Sequence, residues 1–156
     1  SDWMPRAARK RTRLIQKTIA TLCAELKREP TEEEIAARLG IGLGEIQQGL
    51  ADSNRVLVSL DMMLETDPES DGALHERLAD EKQANPAEVF EQENLVEMLG
   101  DAIRNLSERE QLVLSLYYNE ELTFKEIGKV LEITESRVCQ LHARAILSLK
   151  GMMNHD

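Results

Sequence analysis

Thr123-Phe124-Lys125-Glu126-Ile127-Gly128-Lys129-Val130-Leu131-Glu132-Ile133-Thr134 decides the fold, because an earlier stretch repeats its pattern. Glu34-Ile35-Ala36-Ala37-Arg38-Leu39-Gly40-Ile41, with Ile46 five residues on, matches Glu126-Ile127-Gly128-Lys129-Val130-Leu131-Glu132-Ile133, with Val138 five residues on. The two lie 92 positions apart (127 − 35 = 92). In each, a small residue, Ala36 or Gly128, follows the first Ile, where a crossing second helix would collide with a larger side chain. In each, Leu and Ile close the first helix and the turn, and a branched residue anchors the second helix. This is a helix-turn-helix pattern, and two copies point to a protein that touches DNA at two separated places.

Local signals around the repeats fill in the helices. Thr123-Phe124-Lys125-Glu126 and Ser107-Glu108-Arg109-Glu110 are capping boxes, and Thr31 with Glu34 forms another. Thr134 caps a recognition helix that continues to about Lys150, with Gly151 as its stop. Ser107 opens a helix to about Tyr118, and Asn85-Pro86 opens one on which Val89, Val96, Leu99, Ile103 and Leu106 share a face. In the first repeat Gly40 ends the first helix, and the second reaches about Asp52. Its outward positions, Gly44, Gln47 and Gln48, carry no charge, so this copy reads as a packing scaffold rather than a base reader.

Pro5 opens the first helix, which nothing breaks before about Arg28. At 100° per residue Ile15, Ile19, Leu22 and Leu26 form one stripe, and Arg6, Arg9, Lys10, Arg13 and Lys17 form another on the opposite side. The basic stripe is either a solvated face or a helix laid against phosphate. Asn54 to Asp61 looks extended, and Glu65-Thr66-Asp67-Pro68-Glu69-Ser70-Asp71-Gly72 is acidic and turn-rich, with only Leu74 and Leu78 to form a loose turn after it.

The expected fold is all-α: two small helical domains, residues 1–52 and 86–153, each with a helix-turn-helix, joined by an extended acidic linker over residues 53–85. The 156 residues are 42% hydrophobic but only 3% aromatic, so aliphatic side chains must build the cores. Cys23 and Cys139 lie far apart without metal-ligand spacing, which reads as a reducing, cytoplasmic setting. No apolar run approaches the roughly 20 residues that span a bilayer, so no membrane partner is expected. The chain opens Ser-Asp-Trp, which reads as a piece of a longer protein.

The net charge of −10 seems to oppose DNA binding, but it is unevenly placed. Residues 1–28 hold eight Lys/Arg against two Asp/Glu (+6), residues 29–52 one against six (−5), residues 53–110 five against fifteen (−10), and residues 111–156 five against six (−1). Weak local positive charge implies weak non-specific DNA affinity, so a partner is expected to hold the chain on DNA.

On the second reading helix Val138, Leu141 and Ala145 are expected to face inward against Ile127 and Leu131. Ser136, Cys139, Gln140 and Ala143 face outward, flanked by Glu135, Arg137 and Arg144. Gln140 suits adenine N6 and N7, Ser136 a base edge or a phosphate, Glu135 cytosine N4, and Arg137 guanine or a phosphate. Cys139 fills space against a thymine methyl or a sugar. Arg144 and Lys129 lie where backbone contacts would position the helix.

The run from Leu106-Ser107-Glu108-Arg109-Glu110 through Tyr117-Tyr118 to Leu122-Thr123-Phe124-Lys125-Glu126-Ile127-Gly128 closely resembles region four of sigma-70 family sigma factors, the promoter-recognition subunits of bacterial RNA polymerase. Glu135-Ser136-Arg137-Val138-Cys139-Gln140-Leu141-His142-Ala143-Arg144-Ala145 is similar to the flagellar, or motility, class. Asp2-Trp3-Met4-Pro5-Arg6 resembles the junction leaving region two, Glu29-Pro30-Thr31-Glu32-Glu33-Glu34-Ile35-Ala36 resembles region three, and Ser59-Leu60-Asp61 resembles the start of the linker between regions three and four. The region that melts the −10 element is absent from the chain. The resemblance implies that Arg6, Arg9, Lys10 and Arg13 lie beside an extended −10 element and that the reading helix recognises the −35 element. It implies core RNA polymerase and promoter DNA as partners, with Leu112, Leu116 and Leu149 as candidates for docking on the polymerase flap. It also implies a small anti-sigma protein as inhibitor. The acidic linker would run through the polymerase. Glu135 is acidic where many relatives are basic, so the resemblance does not carry the −35 preference over.

Two rivals compete with a sigma factor fragment. A free-standing helix-turn-helix transcriptional regulator would need a dimerisation helix, and no heptad seam is visible. A protein-interaction module that has lost DNA contact fits the weak charge. An enzyme has little support: His75, His142 and His155 are scattered, each fitting surface or satisfied packing, and no phosphate-binding loop or cofactor motif appears.

Overall fold

The computed structural model describes residues 6–66 and 86–153. Among them are seven helices and no strand: α1 (Arg6–Leu26), α2 (Glu32–Leu39), α3 (Leu43–Thr66), α4 (Pro86–Arg104), α5 (Glu108–Tyr118), α6 (Phe124–Leu131) and α7 (Glu135–Met153). Pro5, Leu74, Leu78, His75, His155 and most of the expected linker lie outside the described residues.

The repeat seen in the sequence is reproduced residue for residue. Adding 92 to the bounds of α2 and to the start of α3 gives 124, 131 and 135, the bounds of α6 and the start of α7. Thr31 and Thr123 both sit in extended backbone, and each hydroxyl accepts from the N–H of the Glu three residues on. Glu34 and Glu126 return the bond to the Thr N–H, at 2.9 and 3.0 Å. Both helices end in a left-handed residue, Gly40 (φ 70°) and Glu132 (φ 59°). A Cβ on Gly128 would stand 2.9 Å from the carbonyl oxygen of Ile133, so the turn closes over a missing side chain.

Two expectations need correction. α3 does not stop near Asp52: the segment expected to be extended, residues 54–61, continues the helix to Thr66. No Gly or Pro follows Gly49 before Pro68, and the helix is anchored by the buried Ser53, whose hydroxyl donates to the Gly49 carbonyl. Gly151 does not end α7, which runs on to Met153. On α4, Val96 and Leu99 are 69% and 39% exposed, and packing against α7 lies at Ala102, Ile103 and the following Leu106.

α7 is the central element, apolar on three sides. Val138 and Leu141 pack with Val113 and Ile127, with Leu131 partly buried beside them, as expected. Ala145 is inward too, but with Leu149 it packs against Ala102, Leu106 and Leu114. Ala143 and Leu147 complete a core with Ile15, Ile19, Leu22 and Cys23 of α1, Ile35 of α2, and Ile46 and Leu50 of α3. Close approach needs small residues: a Cβ on Gly151 would lie 3.1 Å from the Cα of Ala20.

Candidate nucleic-acid interface

The first turn of α7 is presented as the sequence suggests. Thr134 caps it, its hydroxyl accepting from the Arg137 N–H at 3.1 Å. Thr134, Glu135 and Ser136 are exposed, as is Lys129 on α6. Cys139 and Gln140 are half-buried.

From Arg137 onward the expected outward face is covered. Arg137 is bound bidentately by Glu32, Nη1 to Oε1 at 2.8 Å and Nη2 to Oε2 at 3.1 Å. Its Nη1 also donates to Gln140 Oε1 at 3.1 Å. Arg144 is only 13% exposed: it donates to the Pro30 carbonyl and lies 3.5 to 3.8 Å from carboxylates of Glu110, Glu29 and Glu32. Ala143, expected outward, is fully buried in the core shared with α1 and α3. The cover is a different part of the same chain, which no periodicity along α7 could reveal. A carboxylate offers a guanidinium the same paired oxygens as a phosphate. Glu32 at the start of α2 therefore occupies the guanidinium groups that this face of α7 offers.

Two buried polar groups were not singled out by sequence as part of any site. His142 hydrogen-bonds Asn54 Oδ1 through Nδ1 (2.5 Å) and the Tyr118 hydroxyl through Nε2 (2.9 Å), joining α3 to α5. This is satisfied packing, and burial pushes its imidazole down to about 4. Glu110 looked like the returning half of a capping box. Ser107 does cap α5, accepting from the Glu110 N–H at 3.2 Å. The Glu110 carboxylate, however, takes the Ser107 hydroxyl (3.0 Å) and turns inward, fully buried beside Arg144. Burial, and then Glu29 beside it, push its carboxyl up to about 9.

The basic stripe of α1 is exposed along Arg6, Arg9, Lys10, Arg13 and Lys17, while Ile15, Ile19 and Leu22 are buried on the opposite side. Of the three leucines expected to dock on polymerase, Leu112 is 48% exposed. Leu116 is partly buried on the Val113–Ile127 core. Leu149 is buried in the α4–α5–α7 cluster. No helix among the described residues is long and apolar enough to cross a membrane.

Residues 10–90 match the family Sigma-70 region 3, and residues 102–151 match Sigma-70, region 4. RNA polymerase sigma factor FliA of Salmonella typhimurium is 45% identical over 150 residues, spanning 96% of this chain and 62% of its own length. RNA polymerase sigma-D factor of Bacillus subtilis is 33% identical over 153 residues, spanning 97% of this chain and 60% of its own. The chain thus spans about three fifths of the length of these relatives. Among solved structures, a flagellar sigma/anti-sigma complex, Sigma-28/FlgM, aligns with a TM-score of 0.50 at 33% identity, covering 97% of this chain and 63% of the solved chain. The paired helix-turn-helix repeats, the caps that set them and these matches make the chain a member of the sigma-70 family, carrying its regions three and four, with relatives of the flagellar class.

Proposed function

We propose that the chain is the part of a sigma factor that places RNA polymerase on promoters, and that the arrangement described above is its closed form. In the open form α7 reads the −35 element: Gln140, Ser136 and Glu135 face base edges, Arg137 faces guanine or a phosphate, and Thr134, Arg144 and Lys129 hold the backbone. The exposed face of α1, with Arg6, Arg9, Lys10 and Arg13, lies along the extended −10 DNA. Core RNA polymerase is the partner that holds the chain on DNA, with Leu112 and the neighbouring Leu116 on the side that meets it. A small anti-sigma protein is the natural inhibitor, supported by the likeness to a sigma/anti-sigma complex.

The observation that carries this reading is Glu32 clasping Arg137 on a capped second helix of a helix-turn-helix. Glu32→Ala in the 156-residue chain is expected to raise affinity for a −35 duplex about tenfold, the equivalent of a charge-assisted contact of about 1.5 kcal/mol. Anisotropy of a labelled duplex reads it. Arg137→Ala is expected to weaken binding and, in polymerase reconstituted with the complete sigma factor, promoter activity. If Arg137 reads a base, the −35 preference shifts. If it touches phosphate, all sequences weaken alike and the salt slope falls by about one. Unchanged binding by Glu32→Ala would rule out the closed form. Unchanged promoter activity by Arg137→Ala would rule out the −35 assignment and leave an interaction module.

A further inference from the structure

Five charged side chains meet where regions three and four touch. Glu29 follows α1, Glu32 opens α2, Glu110 lies in the first turn of α5, and Arg137 and Arg144 come from α7. Three carboxylates thus face two guanidiniums, one negative charge too many if all are ionised. Arginine cannot adjust, since it stays charged in proteins. Arg137 gives both terminal nitrogens to Glu32. Arg144 is divided among Glu110 at 3.5 Å, Glu29 at 3.7 Å, Glu32 at 3.8 Å and the Pro30 carbonyl. Two carboxylate oxygens, Glu29 Oε2 and Glu110 Oε2, are buried and receive no donor. Burying an unpaired carboxylate is costly. One proton on Glu110 would supply a missing donor and cancel the surplus charge together.

We propose that the closed arrangement of regions three and four holds one proton on Glu110, released when the regions separate, so that rising pH frees the reading helix. The inference rests on the reading of this arrangement as the closed form. The sign follows from the group. Glu110 is raised by burial and by Glu29 while the regions touch, and returns to the ordinary carboxylate range once exposed. Its contribution to closure is therefore complete below that range and is lost as pH rises towards 9. The other groups facing the cluster leave a clear window. His142, lowered by burial, acts in the opposite sense but only below its ordinary value near 6.5. Cys23 of α1 is pushed up to about 11 by burial and then by Glu29, so it stays a thiol through pH 9. Arg28 is engaged by Glu34 and by the Glu29 carbonyl, and Glu33 is exposed.

The test uses the complete chain with fluorophores on non-natural side chains at the exposed positions Glu33 and Val130. The open-to-closed ratio is expected to rise about tenfold per pH unit between pH 7 and 8.5, and to be flat in Glu110→Gln, which keeps the shape without the charge. Glu29→Gln is the second probe. Carbon-13 NMR of the side-chain carboxyls, with the Glu110 signal assigned by its loss in E110Q, reads the proton directly even where opening is rare. Glu110 is expected to be protonated at pH 7. A closed molecule with Glu110 ionised at pH 7, or a slope that survives in both variants, overturns the proposal alone. Labels far apart at every pH overturn the closed form and the proposal with it.

Discussion

Gly40 and Glu132 occupy equivalent positions 92 residues apart, and both adopt the left-handed conformation that ends a helix. For glycine this is free of side-chain clash; for glutamate it is strained by about 1 kcal/mol. Glu132→Gly is therefore expected to stabilise the chain by about 1 kcal/mol, read as a higher urea midpoint at unchanged slope; a lower midpoint would contradict the strain. His142 gives a second test. An imidazole lowered in the folded state stabilises above its ordinary value, and that contribution is lost as pH falls from about 6.5 towards 4. Glu110 works the other way over much of this range, so the difference between wild type and His142→Gln isolates the effect. Wild type should lose stability relative to the variant as pH falls, and parallel curves would refute it. The caps at Thr31, Thr123 and Thr134 were legible in the sequence because each is settled within four residues. The surroundings of Arg137 were not, since its partner Glu32 lies 105 residues away.

Helix existence was legible wherever apolar spacing and caps agreed, as in α1, α2, α6 and α7. Beyond Asp52, Val56 and Val58 favour strands on propensity alone, while the absence of a breaker lets α3 run on. The burial of Ala143 and the core position of Leu149 were hidden for another reason. α7 is covered on three sides, and a helix wheel assumes one wet face. Gly151 is not a stop but the point where α7 meets α1, with any added Cβ 3.1 Å from the Cα of Ala20. Gly151→Leu is expected to prise α1 from α7 and raise −35 duplex binding several-fold, while α5 to α7 stay folded. Amide hydrogen exchange would show α1 losing protection and α6 keeping it. Unchanged protection of α1 would show that this contact does not hold the regions together.

A net charge of −10 hides a basic α1 and an acidic α2 that sit side by side in sequence but serve opposite ends. α1 turns Arg6, Arg9, Lys10, Arg13 and Lys17 outward while α2 turns Glu32 inward onto α7. The two-repeat organisation was legible because it is written in local pattern. How regions three and four meet was not, because that depends on surfaces that only the assembled fold brings together.

Glu32 and a DNA phosphate cannot hold Arg137 at the same time. On the proposed reading the carboxylate is a rival built into the chain, to be displaced before a duplex takes Arg137. That toll is identical for every DNA sequence, because it is levied before a base is read. Apparent affinity falls by the fraction of molecules open, while the ratio between right and wrong sites is untouched. A reader so arranged would stay off bulk DNA without giving up discrimination, and whatever opens it would change occupancy everywhere by one common factor.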